Sequence, residues 1–538
     1  MASIGRSATL LASGTVVSRI LGFAKSWLLV QAIGTIGFGA DAYATSTVVP
    51  NSIYALVSAG LLNAVLVPQI VRAAVADADG GRAYINKLVT LGITAFLALA
   101  LIATLLTPPL MEAFGLRGEQ LTLGIAFAYW SMPQIFFLGL YTLLGEVLNA
   151  RKSFGPFTWA PVLNNIVGIA MLGWFIAEFG AHPGGQFTLA GWPTGKIVLL
   201  AGGATLGIAA QAIVLFFFWR RVGLRFRLDF GWRGVHLGAA GRAALWTFAM
   251  IVCTQLVGVV QTNVANSASG ASASTQTLAT AWLIFMLPHS VITVSVATAY
   301  YTRMAEHAHA GRIAEFRSDY ASAARAISLL LGFASAAIIV CAYPIARVFT
   351  PDYQSFGNVI IAYLVGLVGF SLLFVTQRAF YALGDTRTPF RFTVVFSVIQ
   401  LAGFLLSLLL PAQYRAVGIA VTVSVGQLVG MMLAGFLLRR RIGFIGARSI
   451  LAAVWRAVAA AIIAMAVGIL VLIPLGGAPF HAGFALSGAA TALVGVLPVV
   501  AVVAVVYTLA LWLLGTPDLR SLIVGIRHRT AGARRARG

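Results

Sequence analysis

The chain has 538 residues, of which 60% are hydrophobic and 9% charged, with a formal charge of +22. Soluble domains carry about 25% charged residues, so this chain cannot cover itself in water, and lipid is its natural solvent. The excess of Lys and Arg is not a nucleic-acid signature. It sits in short clusters between apolar runs, the pattern of cytoplasmic loops under the positive-inside rule. The two cysteines, Cys253 and Cys341, lie inside apolar runs and provide neither a disulfide framework nor a metal site.

Near the N-terminus, Arg6 followed by the run Ala8–Val17 imitates a signal peptide. Arg19 and Lys25 interrupt the apolar region and no small-residue cleavage site follows cleanly, so the expectation is an uncleaved first span. A spanning helix needs about 20 mostly apolar residues. Fourteen such stretches follow in order, near 9–34, 43–71, 85–107, 122–147, 157–178, 197–219, 242–265, 275–302, 323–349, 356–381, 392–410, 416–438, 452–474 and 491–514. The expected fold class is an all-α polytopic membrane protein. With both termini cytoplasmic, thirty of the thirty-six Lys and Arg fall on the inner side and four on the outer side; Arg19 and Lys25 stay inside the first span. A miscounted helix would scramble that asymmetry.

A weak repeat has an offset of about 235 residues. Gly5-Arg6 opens span one as Gly241-Arg242 opens span seven, and Val49–Ile53 (VPNSI) echoes Leu287–Val291 (LPHSV). Leu148–Phe157 (LNARKSFGPF) echoes Phe380–Phe390 (FYALGDTRTPF) with one insertion. Six spans, an even number, separate the copies, so the two halves share one orientation, a parallel repeat. The division expected is a first lobe at 1–232, a second at 233–445, spans thirteen and fourteen at 446–516, and a basic cytoplasmic tail at 517–538.

Arg19 and Lys25 are the sharpest chemical signal. A cation within a span costs at least about 2.5–3.5 kcal/mol on insertion scales, and such residues face a wet cavity or an anionic ligand. Lys25 has the alternative of snorkelling outward; Arg19, near mid-span, does not. A straight helix sets residues six apart about 120° from one another, so a bend at Gly22 would bring both heads into one cavity. Asp41, opening span two, is read either as a partner for Lys25 or as a helix N-terminal acid. Gln255 and Gln261, the repeat counterparts of Arg19 and Lys25, with Asn263 and Asn266 make span seven polar; cavity lining and helix-to-helix bonding are both open. The Asn164-Asn165 pair in span five has the same two readings. Pro50, Pro161 and Pro288 break helix hydrogen bonds within spans, as hinges do and as membrane helices also simply tolerate. Enzyme signals are poor. Gly191–Lys196 (GWPTGK) has the wrong spacing for a phosphate loop and lies on the expected outer side. No metal or cofactor site is expected. Energy then has to come from a coupling ion, the membrane potential or a partner.

Ser18–Ala24 (SRILGFA), Gly34, Asp41-Ala42, Pro50-Asn51 and Val67-Pro68 resemble the first two helices of the MurJ/MviN family of lipid II flippases, a branch of the multidrug/oligosaccharidyl-lipid/polysaccharide flippase superfamily. Arg378–Pro389 (RAFYALGDTRTP) resembles that family's tenth-helix exit loop, with Arg378, Asp385, Arg387 and Pro389 as its marks, and Trp159–Ile166 (WAPVLNNI) its fifth helix. The resemblance covers spans one to twelve at least, and fourteen spans match the family's number. It implies two six-helix lobes around a cationic cavity, alternating access, and a groove for the lipid tail along the last two helices. It also implies export of an undecaprenyl-pyrophosphate-linked muropeptide across the bacterial cytoplasmic membrane, with membrane lipids and cell-wall synthesis proteins as partners. By motif match Arg19 is the first cavity arginine; Lys25 stands where an arginine is usual and Ser26 where an aspartate often follows. Asp41 matches an acid of the second helix, and Asn165 an asparagine of the fifth. The implied cavity set is Arg19, Lys25, Asp41, Asn165, Gln255 and Gln261, with Gly22, Pro50 and Pro288 as hinges or gates. Arginines usual after Pro-Asn are replaced by Tyr54 and Ala55, and another by Leu283, so the cavity is less cationic than in many relatives. The Trp-Leu and Leu-Pro-His elements here resemble variants of high-GC Gram-positive bacteria. The rival readings are a flippase for another polyprenyl-linked glycan, a cation-coupled multidrug exporter, and a non-transporting envelope scaffold.

Overall fold

The computed structural model describes residues 2–58, 82–151, 153–185, 189–224, 226–231 and 241–517. Its first part runs α1 (Ala2–Ile33), α2 (Phe38–Val57), α3 (Arg82–Leu105), the short α4 (Thr107–Ala113), α5 (Gly118–Ala150), α6 (Phe154–Phe179), α7 (Thr194–Val222) and α8 (Gly241–Asn266). Then come α9 (Thr275–His309), α10 (Ile313–Val340), α11 (Ala342–Phe349), α12 (Tyr353–Leu364), α13 (Leu367–Ala382), α14 (Arg387–Ser407), α15 (Ala412–Ile442), α16 (Ala447–Leu472) and α17 (Ala489–Leu513). Twelve of the described helices are long and apolar enough to cross a membrane, or thirteen when the bent pair α12–α13 counts as one span. The expected second span begins in α2, and its remainder, 59–71, lies outside the described residues.

Long helices follow from the solvent. In lipid every backbone N–H and C=O must be bonded within its own segment, so each apolar run closes into helix. Two interruptions fall where proline removes a donor. In α5 the ladder turns at Met132-Pro133 and restarts at Gln134. In α9 Pro288 is followed by one wider turn, His289–Thr293, which absorbs the lost hydrogen bond before the helix resumes at Val294.

The chain divides into two compact units, one of residues 1–280 with 404–416, the other of 281–403 with 417–538. Within the first, α1 packs along α6, which packs on α7, while α2 lies against α5. Val49, Phe96, Ile135, Leu143 and Trp219 belong to its larger buried cluster. A second cluster joins Ile33, Tyr43, Phe127, Phe175 and Trp192. Trp192 lies directly on Gly39, where no side chain but hydrogen fits. This is what the GWPTGK segment does: Trp192 plugs the core, and Lys196 donates to the carbonyl of Gly191 at 2.9 Å.

In the second unit, α10, α16 and α17 form a tight triplet. Its seam is built from Ala336, Ala457, Ala460, Ala464, Val499 and Val503. Helices in lipid gain no hydrophobic drive from one another, so small side chains that permit close backbone packing do this work. Tyr507 seals the triplet by donating to the carbonyl of Leu329 at 2.7 Å. The outward faces of α16 and α17 carry exposed Leu451, Trp455, Leu470, Leu497, Val505 and Leu513, which suit lipid and would be untenable in water. A two-stranded hairpin, pairing Gly477 with Ala482 and Ala478 with His481, joins these helices.

Candidate functional site

The predicted cations lie on α1. Arg19 is exposed halfway along it and makes no hydrogen bond or ion pair with the described residues. Lys25 is half-buried and turns instead onto α6, where its Nζ donates to Asn164 Oδ1 at 3.4 Å. Asn164 in turn donates to Gln211 Oε1 of α7 at 2.9 Å. Arg19 and Lys25 therefore have different surroundings, and α1 runs unbroken from Ala2 to Ile33 through Gly22. The helical hydrogen bonding is not interrupted at Gly22. A Cβ there would sit 3.6 Å from Asn165 Nδ2, an ordinary contact, so packing alone does not demand a glycine. Asn165 donates to the carbonyl of Ser18 at 2.9 Å, fixing α6 to α1 beside Arg19.

Asp41 does not meet Lys25. It is fully buried and accepts from two other groups: Ser269 Oγ to Oδ2 at 2.6 Å, and the Gln276 backbone N–H to Oδ1 at 3.0 Å. Gln276 is the second residue of α9, so its N–H has no partner within that helix, and a carboxylate is the acceptor best suited to such an end. Around this contact the first unit closes. Gln120 donates to Ser269 Oγ at 2.7 Å, and Thr277 to the carbonyl of Thr35 at 2.7 Å. Asn266 donates to Thr45 Oγ1 and to the carbonyl of Phe114, both at 2.9 Å. The helix ends tied together are those the charge tally places outside. Of the polar set in α8, Asn263 and Asn266 thus bond between helices, Asn263 to the carbonyl of Ala113 at 3.1 Å. Gln255 and Gln261 are half-buried and make no hydrogen bond with the described residues.

Positions where relatives are expected to carry arginine have other uses here. The Tyr54 hydroxyl bonds that of Thr142, and its ring lies 6.4 Å from that of Phe96. Leu283 is half-buried in α9. Pro50 is buried within α2, and Pro288 precedes the wide turn of α9. The first residue of that turn, His289, is buried; its Nδ1 lies 2.8 Å from Ser371 Oγ and its ring 4.5 Å from that of Phe370.

The loop motif is a helix stop and start. Gly384, at φ 72°, ends α13, with the Asp385 N–H bonded to the carbonyl of Phe380 at 2.9 Å. Asp385 then begins α14. Its Oδ1 accepts from the N–H groups of Arg387 and Thr388 at 3.0 and 2.9 Å, and its Oδ2 from Thr388 Oγ1 at 2.7 Å. Pro389 sits in the first turn, where a missing N–H costs nothing. The Arg378 guanidinium lies over the rings of Phe374 and Tyr301, at 4.9 and 5.6 Å.

Sequence reasoning missed Gln211, Gln120, Ser269 and Gln276 as members of these networks. The available signal for Gln211 was a single amide in an apolar span; the others sit at helix ends, where polar residues are ordinary. It also missed the buried Asp319, which meets Arg303 Nη2 at 2.6 Å and His307 Nδ1 at 3.3 Å.

Comparison with known proteins agrees with this arrangement. The family model described as lipid II flippase MurJ matches residues 30–490. A probable lipid II flippase MurJ of Rhizobium meliloti (strain 1021) is 26% identical over 437 residues, covering 78% of this chain and 77% of the relative. That of Rhizobium tropici is 27% identical over 440 residues, 79% of each. A solved structure of lipid II flippase MurJ in an inward closed conformation has a TM-score of 0.72 at 17% identity, covering 96% of this chain and 100% of that one. An inward-facing multidrug resistance MATE family transporter of the MOP superfamily has a TM-score of 0.64 at 17% identity, covering 82% of this chain and 99% of that one. At such identities the two structures speak for the fold, and the all-α membrane architecture is theirs too. The match over most of its length decides the family: this chain belongs to the lipid II flippase MurJ family.

Proposed function

We propose that this chain moves lipid II, the undecaprenyl-pyrophosphate-linked muropeptide, from the inner to the outer leaflet of the bacterial cytoplasmic membrane by alternating access. One observation carries the reading beyond family membership: an arginine halfway through a spanning helix, exposed and without a partner among the described residues. An unpaired guanidinium at that depth is costly unless water or an anion meets it. A lipid pyrophosphate is such an anion, and arginine binds phosphate bidentately. Lys25 is the second cation of the site, and Gln255 and Gln261, whose amides lack partners among the described residues, are candidates to meet the sugar and peptide. The closure around Asp41 holds the outer ends together, so release outward requires those hydrogen bonds to break. The polyprenyl tail has an apolar path along α16 and α17. With both termini cytoplasmic, the basic inner face attracts anionic lipid heads. The membrane potential is the proposed drive, worth about 2.3 kcal/mol per charge per 100 mV. A multidrug exporter for cationic drugs would call for free acids in the site, whereas Asp41 is engaged on both oxygens.

The test is replacement of the host's own flippase. Depletion of that protein, with expression of this chain, is expected to restore growth and exposure of the precursor on the outer leaflet. Arg19→Ala is expected to abolish both while the protein stays in the membrane. Full rescue by Arg19→Ala would sink the cationic site. Failure of the unaltered chain to rescue its native host, when present in the membrane, would point to another polyprenyl-linked glycan or to a scaffold.

A further inference from the structure

We infer that Asn164, aligned by Gln211, is a parking acceptor for the Lys25 ammonium: it holds the cation while the carrier is empty and releases it when anionic cargo arrives. The inference rests on the cargo proposed above. Lys25 lies along α6 in a slot opened by a glycine. A Cβ on Gly168 would sit 2.6 Å from Lys25 Cε and 3.0 Å from its Nζ. At the end of the slot Nζ reaches Asn164 Oδ1. Asn164 uses its own N–H on Gln211 Oε1, which orients the amide so that its oxygen faces the lysine. Gly207 leaves room for that oxygen, since a Cβ there would sit 2.6 Å from it. Three helices, α1, α6 and α7, thus meet in one polar chain.

The acceptor's chemistry matters. Lys25 makes no ion pair among the described residues, and its hydrogen bond of 3.4 Å is long beside the usual 2.9 Å or so. An apolar slot would leave the ammonium without an acceptor in a low-dielectric interior, at high cost. A carboxylate would hold it by charge and compete with cargo. A neutral amide lies between these extremes. It gives the charge a place to rest during the empty return, yet cedes it to a pyrophosphate, whose charge-assisted hydrogen bonds are shorter and stronger.

The experiment uses the full chain in lipid nanodiscs, with binding of undecaprenyl-pyrophosphoryl muropeptide and flipping in cells as readouts. Asn164→Leu removes the acceptor, and Gly168→Ala blocks the slot while leaving Asn164 and Gln211 unaltered. Both are expected to tighten cargo binding about threefold to tenfold while slowing turnover. Asn164→Asp is expected to weaken binding by a similar factor. Lys25→Ala is expected to weaken binding and to erase the effect of every Asn164 variant. Leu and Asp at 164 shifting affinity in the same direction, or acting equally with Lys25 absent, would overturn the parking role in favour of plain helix packing. Lys25→Ala binding cargo as the unaltered chain does would instead overturn the cargo reading.

Discussion

Arg19 and Asp41 are two charged residues in the membrane domain with opposite circumstances. Arg19 is exposed and has no partner among the described residues; Asp41 is fully buried and engaged on both oxygens. A buried group satisfied on every side is a structural tie, and breaking it loosens what it joins. Asp41→Ala leaves the Gln276 N–H without an acceptor, at about 1–3 kcal/mol. The expected result is a looser outer closure. A cysteine at Ala268, buried in that closure, is expected to react with an impermeant maleimide roughly tenfold faster in the Asp41→Ala background, since about 1.4 kcal/mol is a factor of ten. Unchanged labelling would mean that the closure is held by its other bonds alone. Arg19 was legible from sequence because a cation in an apolar run is anomalous wherever the helix turns. Asp41 was only half legible, because an acid at a helix start has an ordinary use.

At the scale of elements, the segment RAFYALGDTRTP is accounted for by backbone requirements. Gly384 takes a conformation that a side chain would strain, and Asp385 supplies the acceptors that the first N–H groups of α14 lack. Asp385→Ala is expected to cost about 1 kcal/mol of stability, to lower the melting temperature slightly, and to leave transport largely intact. Loss of transport at an unchanged melting temperature would give the loop a gating role instead. Gly22 illustrates the reverse case. A glycine between two charged residues invites a break, yet α1 is continuous helix through it. A glycine in a helix can also let a neighbour approach, and here Asn165 lies beside it at a distance that a Cβ would tolerate. Periodicity carries no information that separates these two uses. The wide turn after Pro288 was foreseeable as a break, but its form was not, since proline removes a donor without dictating how the ladder recovers.

At the scale of the whole chain, orientation rests on the distribution of Lys and Arg. Single cysteines at Gly184 and Phe480 are expected to label with a membrane-impermeant reagent in intact cells, and cysteines at Ala310 and Phe444 only after lysis. Both aromatic positions are exposed, at 77% for Phe480 and 64% for Phe444, so a lack of labelling there reports the membrane and not burial. Labelling of the second pair in intact cells would invert the topology. The number of spans was nearly complete in the sequence: twelve or thirteen described helices qualify, and the second expected span extends into residues outside the described ones.

The sequence alone determined the solvent, the class of fold, the ladder of spans and the presence of a cation where none is ordinarily tolerated. These follow from composition and from runs of about 20 residues, and lipid enforces them locally by leaving no other partner for the backbone. The tertiary structure decided which groups meet. Lys25 finds its acceptor 139 residues away, Asp41 finds Ser269 at 228 and Gln276 at 235, and Asn164 reaches Gln211 across 47. No periodic pattern encodes such pairings. They depend on which faces of which helices come together, and in lipid that choice is made by small-residue packing and by polar groups seeking one another, both properties of the assembled bundle.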